Sequence, residues 1–274
     1  MSLPDAAQNR DASATKACCA AIYASDWVRL LLGDSFHPGG VALTERLGVL
    51  LGLHAGLRLL DVAAGRGTSA LQIARRFGCQ VVGVDYALAN VEAARGAAAA
   101  AGLADRVEFV QADAEDLSAL ADASFDAVIC ECAFCTFPDK ATAGREIGRV
   151  LRPGGRFGLS DLTRSGPLPA DLEGLLAWIA CLAGAHSVDE YVADLRAGGL
   201  SVVRIEAHDD ALAELVQQVR TRLLLTEVAV QLRRLALPGA DLAHGRELAA
   251  KAAAAVAAGN LGYALIVAAA PSVG

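Results

Sequence analysis

Short apolar runs recur along the chain at 57–62, 80–85, 107–111, 127–132, 156–161, 202–207 and 262–269, and each reads as a strand. Stretches at 68–77, 88–101 and 141–151 read as helices separating the first five runs. This alternation predicts parallel strands joined by right-handed crossovers. Gly102 closes one helix, and Pro153-Gly154-Gly155 predicts a tight turn ahead of the fifth strand. Before the sheet lie a helix at 15–32, the segment DSFHPGG, and a second helix at 41–51. Helical stretches at 168–198 and 209–258 interrupt the last strands. The pattern predicts one α/β domain over 1–274, with a helical cap (1–52), a sheet core (53–165) and lid helices with terminal strands (166–274).

Composition narrows the setting. The net charge of −7 repels a phosphate backbone, which argues against nucleic acid as a partner. Seven cysteines, an odd number, in a chain whose first residues, MSLPDAAQNRDA, are polar predict free thiols and a reducing cytoplasm. The alanine-rich stretch 252–270 is broken by Gly259, Asn260 and Gly262, so it reads as a helix followed by a strand rather than a membrane span.

Candidate chemistry gathers at the predicted strand ends. Gly65-Arg66-Gly67-Thr68-Ser69-Ala70 has the form GxGxxA directly after a strand and before a helix, where backbone approaches a ligand closely. Asp61 closes the first strand and is placed to orient that loop, in which Ala63 also lies. Twenty positions after Gly65, Asp85 offers a carboxylate to ribose hydroxyls and Tyr86 an aromatic face to a purine. After the third strand, Asp113 is placed to accept from an exocyclic amine, Ala114 to offer its backbone N–H to a ring nitrogen, and Glu115 follows. With VLRPGG before the fifth strand, the stretch from Leu57 to Thr163 resembles the class I S-adenosylmethionine (SAM)-dependent methyltransferases. That resemblance implies a Rossmann-like seven-stranded sheet of order 3-2-1-4-5-7-6 with an antiparallel seventh strand, and SAM as cofactor. It implies a SAM site built from Asp61, Ala63, Gly65, Gly67, Asp85, Tyr86, Asp113, Ala114, Glu115 and the strand-end Cys130. The amides of Gly39 and Gly40, at a helix entry, are candidates for the SAM carboxylate. The plain alternative makes each acid a helix cap, and a dinucleotide dehydrogenase gives no reason for LRPGGRF.

The thiols suggest the acceptor. Cys18 and Cys19 lie in the cap, Cys130, Cys132 and Cys135 follow the fourth strand, and Cys181 lies in the lid. Glu131-Cys132-Ala133-Phe134-Cys135-Thr136-Phe137-Pro138-Asp139-Lys140 and Cys181-Leu182-Ala183-Gly184-Ala185 resemble the arsenite methyltransferases, whose motifs are S-N-C-x-x-N-L-x-P-D-K and C-x-x-G-A. The departures are Glu131 and Cys135, which stand at the family's two Asn positions. The resemblance implies As(III) held by Cys132 and Cys181, with Cys19 or Cys18 as third ligand, and a thiol reductant as partner. A soft centre prefers thiolate to oxygen. Alternation along the strand end is expected to point Cys130 and Cys135 away from Cys132, toward packing roles, and Cys79 also reads as core. His37 reads either as part of a ligand-facing turn or as a partly exposed cap. His186 reads as substrate mouth or helix start, His54, His208 and His244 as surface, and Tyr23, Trp27 and Trp178 as cap packing. Cys132-x-x-Cys135 without a second pair is a weak zinc pattern. The rival readings are methylation of a small organic O, N or C nucleophile, and a SAM-binding protein without turnover.

Overall fold

The computed structural model describes Lys16 and residues 37–166, 184–232 and 242–272. Cys18, Cys19, Tyr23, Trp27, Trp178 and Cys181 lie outside these residues, as do most of the helices expected at 15–32 and in the first half of 168–198. Lys16 is helical.

The first described helix, α1 (Gly40–Leu51), is bounded by Gly39 and Gly52, both left-handed. Strands β1 (Arg58–Val62) and β2 (Gln80–Asp85) flank helix α2 (Thr68–Phe77), which runs between the left-handed glycines Gly67 and Gly78. Then come α3 (Leu88–Ala100), β3 (Val107–Gln111) and β4 (Phe125–Glu131). Helix α4 (Lys140–Val150) starts where Asp139 accepts from the Thr142 amide. It is followed by β5 (Leu151–Arg164) and by α5 (Val188–Ala197), which a reciprocal Ser187–Glu190 capping box opens. Strand β6 (Ser201–Ala207), helices α6 (Asp209–Gln231) and α7 (Leu242–Ala257), and β7 (Leu261–Ala269) complete the order.

The sheet order is β3-β2-β1-β4-β5-β7-β6, with β7 antiparallel to both neighbours, as the family resemblance implies. Two apolar layers cover it. Leu47, Leu59, Ile73, Phe109, Ile129 and Tyr263 belong to one, and Leu60, Val62, Phe134, Ile147, Phe157 and Tyr191 to the other. The 252–270 stretch is indeed the end of one helix and a buried strand. No helix among the described residues is long and apolar enough to cross a membrane.

Strands β4 and β5 are longer than expected, starting at Phe125 and ending at Arg164 respectively, and their other ends bear on the site. β5 begins at Leu151, so Pro153-Gly154-Gly155 lies inside the strand instead of turning the chain before it. The register slips there between Phe125 and Ala127. The irregularity is held by the other end of the chain: Gly154 N–H donates to Pro271 O, and Ala270 N–H to Gly155 O. β4 ends at Glu131, one residue short of Cys132, because Cys132 turns into the left-handed region at φ 52°.

Candidate cofactor and acceptor site

The carboxyl ends of β1, β2 and β4 open into one cavity. Asp61, Ala63, Gly65, Asp85, Tyr86, Asp113, Ala114 and Cys132 all line it, so residues up to 71 positions apart meet there. Ala63 and Cys132 share an uncommon feature, a left-handed backbone without a glycine (φ 59° and 52°). Such strain concentrates at ligand sites.

Asp85 ties the glycine loop. Its Oδ2 accepts from Gly65 N–H at 2.8 Å, while Oδ1 accepts from Ala87 N–H at 2.9 Å and Asn90 Nδ2 at 3.1 Å. Burial pushes its carboxyl up from the usual range against those three donors. Asp85 thus shares the loop-orienting role expected of Asp61, which itself takes the Ala70 amide at the end of the same motif. Asp61 is 2% exposed and its Oδ2 has no hydrogen-bond partner. Burial raises its carboxyl well above the usual range, Glu131 and Asp85 raise it further, and the Ala70 amide opposes.

Some expected site residues stand apart from the cavity wall. Gly67 is the N-cap of α2, where an added Cβ would sit 2.4 Å from Phe109 Cζ, so it serves close helix–sheet packing. Gly39 and Gly40 do not line the cavity either; Gly40 N–H closes the turn on His37 O. Cys130 is fully buried among Leu60, Val62 and Phe134, away from the cavity. Its separation from Cys132 does not come from the pleat, which would leave residues two apart on one face. It comes from the left-handed turn at Cys132. Cys135 is likewise buried, and Cys79 is core, its thiol pushed up to about 11 by burial.

Lys16 and Glu131, which also line the cavity, were not singled out as site residues in the sequence. Lys16 Nζ pairs with Asp113 Oδ2 at 2.7 Å and Glu115 Oε2 at 2.5 Å. Glu115 bonds across this edge, also accepting from Asp139 N–H, and does not itself line the cavity. Glu131 is buried and accepts from Thr44 Oγ1 at 3.0 Å. His37 is buried in the wall rather than partly exposed, with Nε2 3.3 Å from Thr44 Oγ1 and 3.7 Å from Glu131 Oε2. His186 lies outside this cavity, half-buried at the entry to α5, with Nδ1 2.8 Å from Asp194. Proximity in the fold identifies Lys16 and Glu131, whereas His37 was already read in the sequence as part of either a ligand-facing turn or a cap. The one hint in sequence was Glu131, a charged residue where the resembled motif carries an amide.

Residues 60–159 match the family model described as a methyltransferase domain. The chain is 36% identical over 191 residues to the 27-O-demethylrifamycin SV methyltransferase of Amycolatopsis mediterranei, covering 64% of this chain and 70% of that protein. The chain belongs to the class I SAM-dependent methyltransferases. The methyltransferase is also 31% identical over 229 residues to the arsenite methyltransferase of Aquipseudomonas alcaligenes, covering 78% of this chain and 66% of the relative. In fold it is similar to the geranyl diphosphate C-methyltransferase of Streptomyces coelicolor, with a TM-score of 0.73, 18% identity, and coverage of 97% and 99%. Among curated relatives that include these two, this methyltransferase spans 40% to 70% of the relative's own length. The family's cofactor suits the cavity: SAM carries a sulfonium and an ammonium, and the buried Asp61 carboxylate beside Asp85 and Glu131 calls for a cation.

Proposed function

We propose that this methyltransferase methylates a thiophilic small-molecule acceptor, trivalent arsenic bound as a thiolate complex. The observation that carries the reading is the Cys132 thiol in the wall of the cofactor cavity, on a strained backbone that turns it out of the strand. Similarity to an arsenite methyltransferase over 78% of the chain supports it, since that match reaches well beyond the cofactor-binding strands.

SAM, when bound, supplies an activated methyl group on a sulfonium. Around it, Asp85 serves two ends at once: it fixes the glycine loop and offers its remaining acceptor capacity to ribose hydroxyls. Tyr86 lies along the purine. Asp113 takes the exocyclic amine beside the Ala114 N–H, with Lys16 and Glu115 closing that edge. Cys132 supplies one sulfur to the arsenic, and Cys181 with Cys19 or Cys18 supply the others. A lone pair on thiolate-bound arsenic needs no base to expose it, so the residues' task is placement.

Methylated products formed from arsenite, SAM and a thiol reductant, lost in both Cys132→Ser and Cys181→Ser while SAM affinity is retained, are the expected result. Full activity in both variants would sink the arsenic reading. A second reading, methylation of an organic hydroxyl, is favoured by the buried His37 imidazole in the same wall, a candidate to accept a proton. It predicts turnover of hydroxyl-bearing acceptors that His37→Gln abolishes and Cys132→Ser does not.

A further inference from the structure

We infer that Asp161 and Lys140 are positioning residues for the methyl acceptor: a buried carboxylate and a buried ammonium that together fix the turn carrying the Cys132 thiol. The inference rests on the reading of Cys132 as an acceptor ligand and adds two residues that do not themselves line the cavity. The turn begins where β4 leaves the sheet. Glu131 pairs with Ser160 of β5, and Cys132 N–H makes one further rung on Ser160 O at 2.7 Å. Cys132 itself sits in the left-handed region at φ 52°, which a residue with a side chain adopts only at a cost. Backbone pairing of β4 with β5 ends there, and a side chain takes over. Asp161, the next residue of β5, accepts from Cys135 N–H through Oδ2 at 2.8 Å, within the single 3-10 turn Phe134–Thr136. Its Oδ1 accepts from Leu162 N–H, also at 2.8 Å.

Lys140 closes the other end. It is the first residue of α4, and its Nζ donates at 3.0 Å to the carbonyl of Phe137, the residue that follows the 3-10 turn. Asp161 is 1% exposed and Lys140 7%, so water offers these backbone groups no ready substitute. Burial lowers the Lys140 ammonium from its ordinary value, while the nearby Cys135, Asp161, Asp194 and Glu115 oppose that shift. Anion and cation thus grip the turn from two sides, one by an amide N–H and the other by a carbonyl.

Packing alone does not call for these charges. Phe134 already holds the apolar side of the turn, with its ring against those of Phe137, Phe157 and Tyr191. Buried ionic groups add little net stability over apolar replacements, and what they do supply is one specified conformation. Here that conformation is the one that swings Cys132 out of the strand and into the cavity wall, while Cys130 stays in the core. The chemistry of Asp161 is equally restrictive. It accepts on both oxygens, whereas the amide of an asparagine presents one acceptor and one donor, and so loses one of the two bonds.

Asp161→Asn tests this through three readings: the arsenite KM, S-adenosylhomocysteine affinity by calorimetry, and the rate at which iodoacetamide alkylates Cys132, followed by peptide mass spectrometry. A hydrogen bond to a charged acceptor is worth roughly a factor of ten or more. The arsenite KM is therefore expected to rise about tenfold and Cys132 alkylation to quicken at least threefold, with S-adenosylhomocysteine affinity held within twofold. An unchanged KM or an unchanged alkylation rate overturns the assignment. So does a matching loss of S-adenosylhomocysteine affinity, which would mean that the substitution acts through the fold. Lys140→Met, which removes the donor and keeps the stem, must give the same split, and it decides if Asp161→Asn does not fold. If neither variant folds, hydrogen exchange of the wild type decides: the Cys135 amide must be protected at least a hundredfold, and free exchange overturns the assignment. A wild type that leaves arsenite unmethylated would instead refute the acceptor reading itself, and Cys132 alkylation would then test the clamp alone.

Discussion

Asp85 makes three hydrogen bonds to its own loop and helix start, and is proposed to add the ribose. Hydrogen bonds to a charged group contribute about 1.5–3 kcal/mol each. Asp85→Ala should therefore lower SAM affinity by roughly tenfold to a hundredfold at least, using about 1.4 kcal/mol per decade. Calorimetry checks it, and unchanged affinity would remove Asp85 from the site. This residue was legible in the sequence because its role follows from spacing: a strand end twenty positions after a glycine loop. The division of labour with Asp61 was not legible. Spacing fixes which strand end carries an acid, whereas the direction its oxygens face depends on neighbours such as Asn90 and Glu131. Lys16 and Glu131 escaped for the same reason, since each reaches the cavity by a contact distant in sequence. The cysteines divide similarly. Burial of Cys79 could be read from its apolar surroundings, but the separation of Cys130 from Cys132 depends on one left-handed residue that no pattern announces.

At the scale of elements, the glycine positions decide how closely helices approach the sheet and one another. Gly67 at φ 83° starts α2, and Phe109, against which an added Cβ would press, is 2% exposed with no room to retreat. Gly67→Ala should destabilise the protein by about 1–3 kcal/mol from overpacking, with left-handed strain of about 1–2 kcal/mol in addition. It should also weaken SAM binding by displacing the loop that Asp85 holds; denaturant unfolding and calorimetry read the two effects separately. Gly198, at the end of α5, lies against α4, where a Cβ would fall 2.5 Å from the Gly144 backbone carbon. Backbone cannot swing aside as a side chain can, so Gly198→Ala should cost about 1–3 kcal/mol of stability while SAM affinity per folded molecule is kept. A fully stable variant would contradict this packing. Strand and helix positions were readable from apolar runs and helical spacing. The irregular start of β5 was not, because it is held by Pro271 and Ala270, more than a hundred residues later in the chain.

Over the whole molecule, the cavity couples charge, stability and ligand. Asp61 and Asp85 both have carboxyls raised by burial, so the folded ligand-free protein holds protons that the unfolded chain has already released. Stability of the ligand-free form should therefore fall as pH rises from the ordinary carboxylate range, near 4, through the raised values. A cationic ligand favours the ionised acids, so its affinity should rise across the same interval. Melting temperatures measured with and without SAM are expected to show a stabilisation that grows from acid to neutral pH. A ligand-induced shift independent of pH would contradict a cation-binding carboxylate cluster. The fold as a whole was foreseen down to the antiparallel last strand, since alternation gives a parallel α/β sheet and a family resemblance carried by several motifs implies the strand order. The acceptor rests on less, because Cys132 is the one cavity-lining thiol among the described residues and the expected partners lie outside them.

X-ray absorption at the arsenic edge, on the arsenite-loaded protein with and without SAM, addresses the acceptor most directly. A first shell of sulfur alone, losing one sulfur in Cys132→Ser, is the predicted result. Oxygen ligands on the arsenic that the substitution leaves unchanged would contradict a thiolate-held acceptor beside the methyl donor.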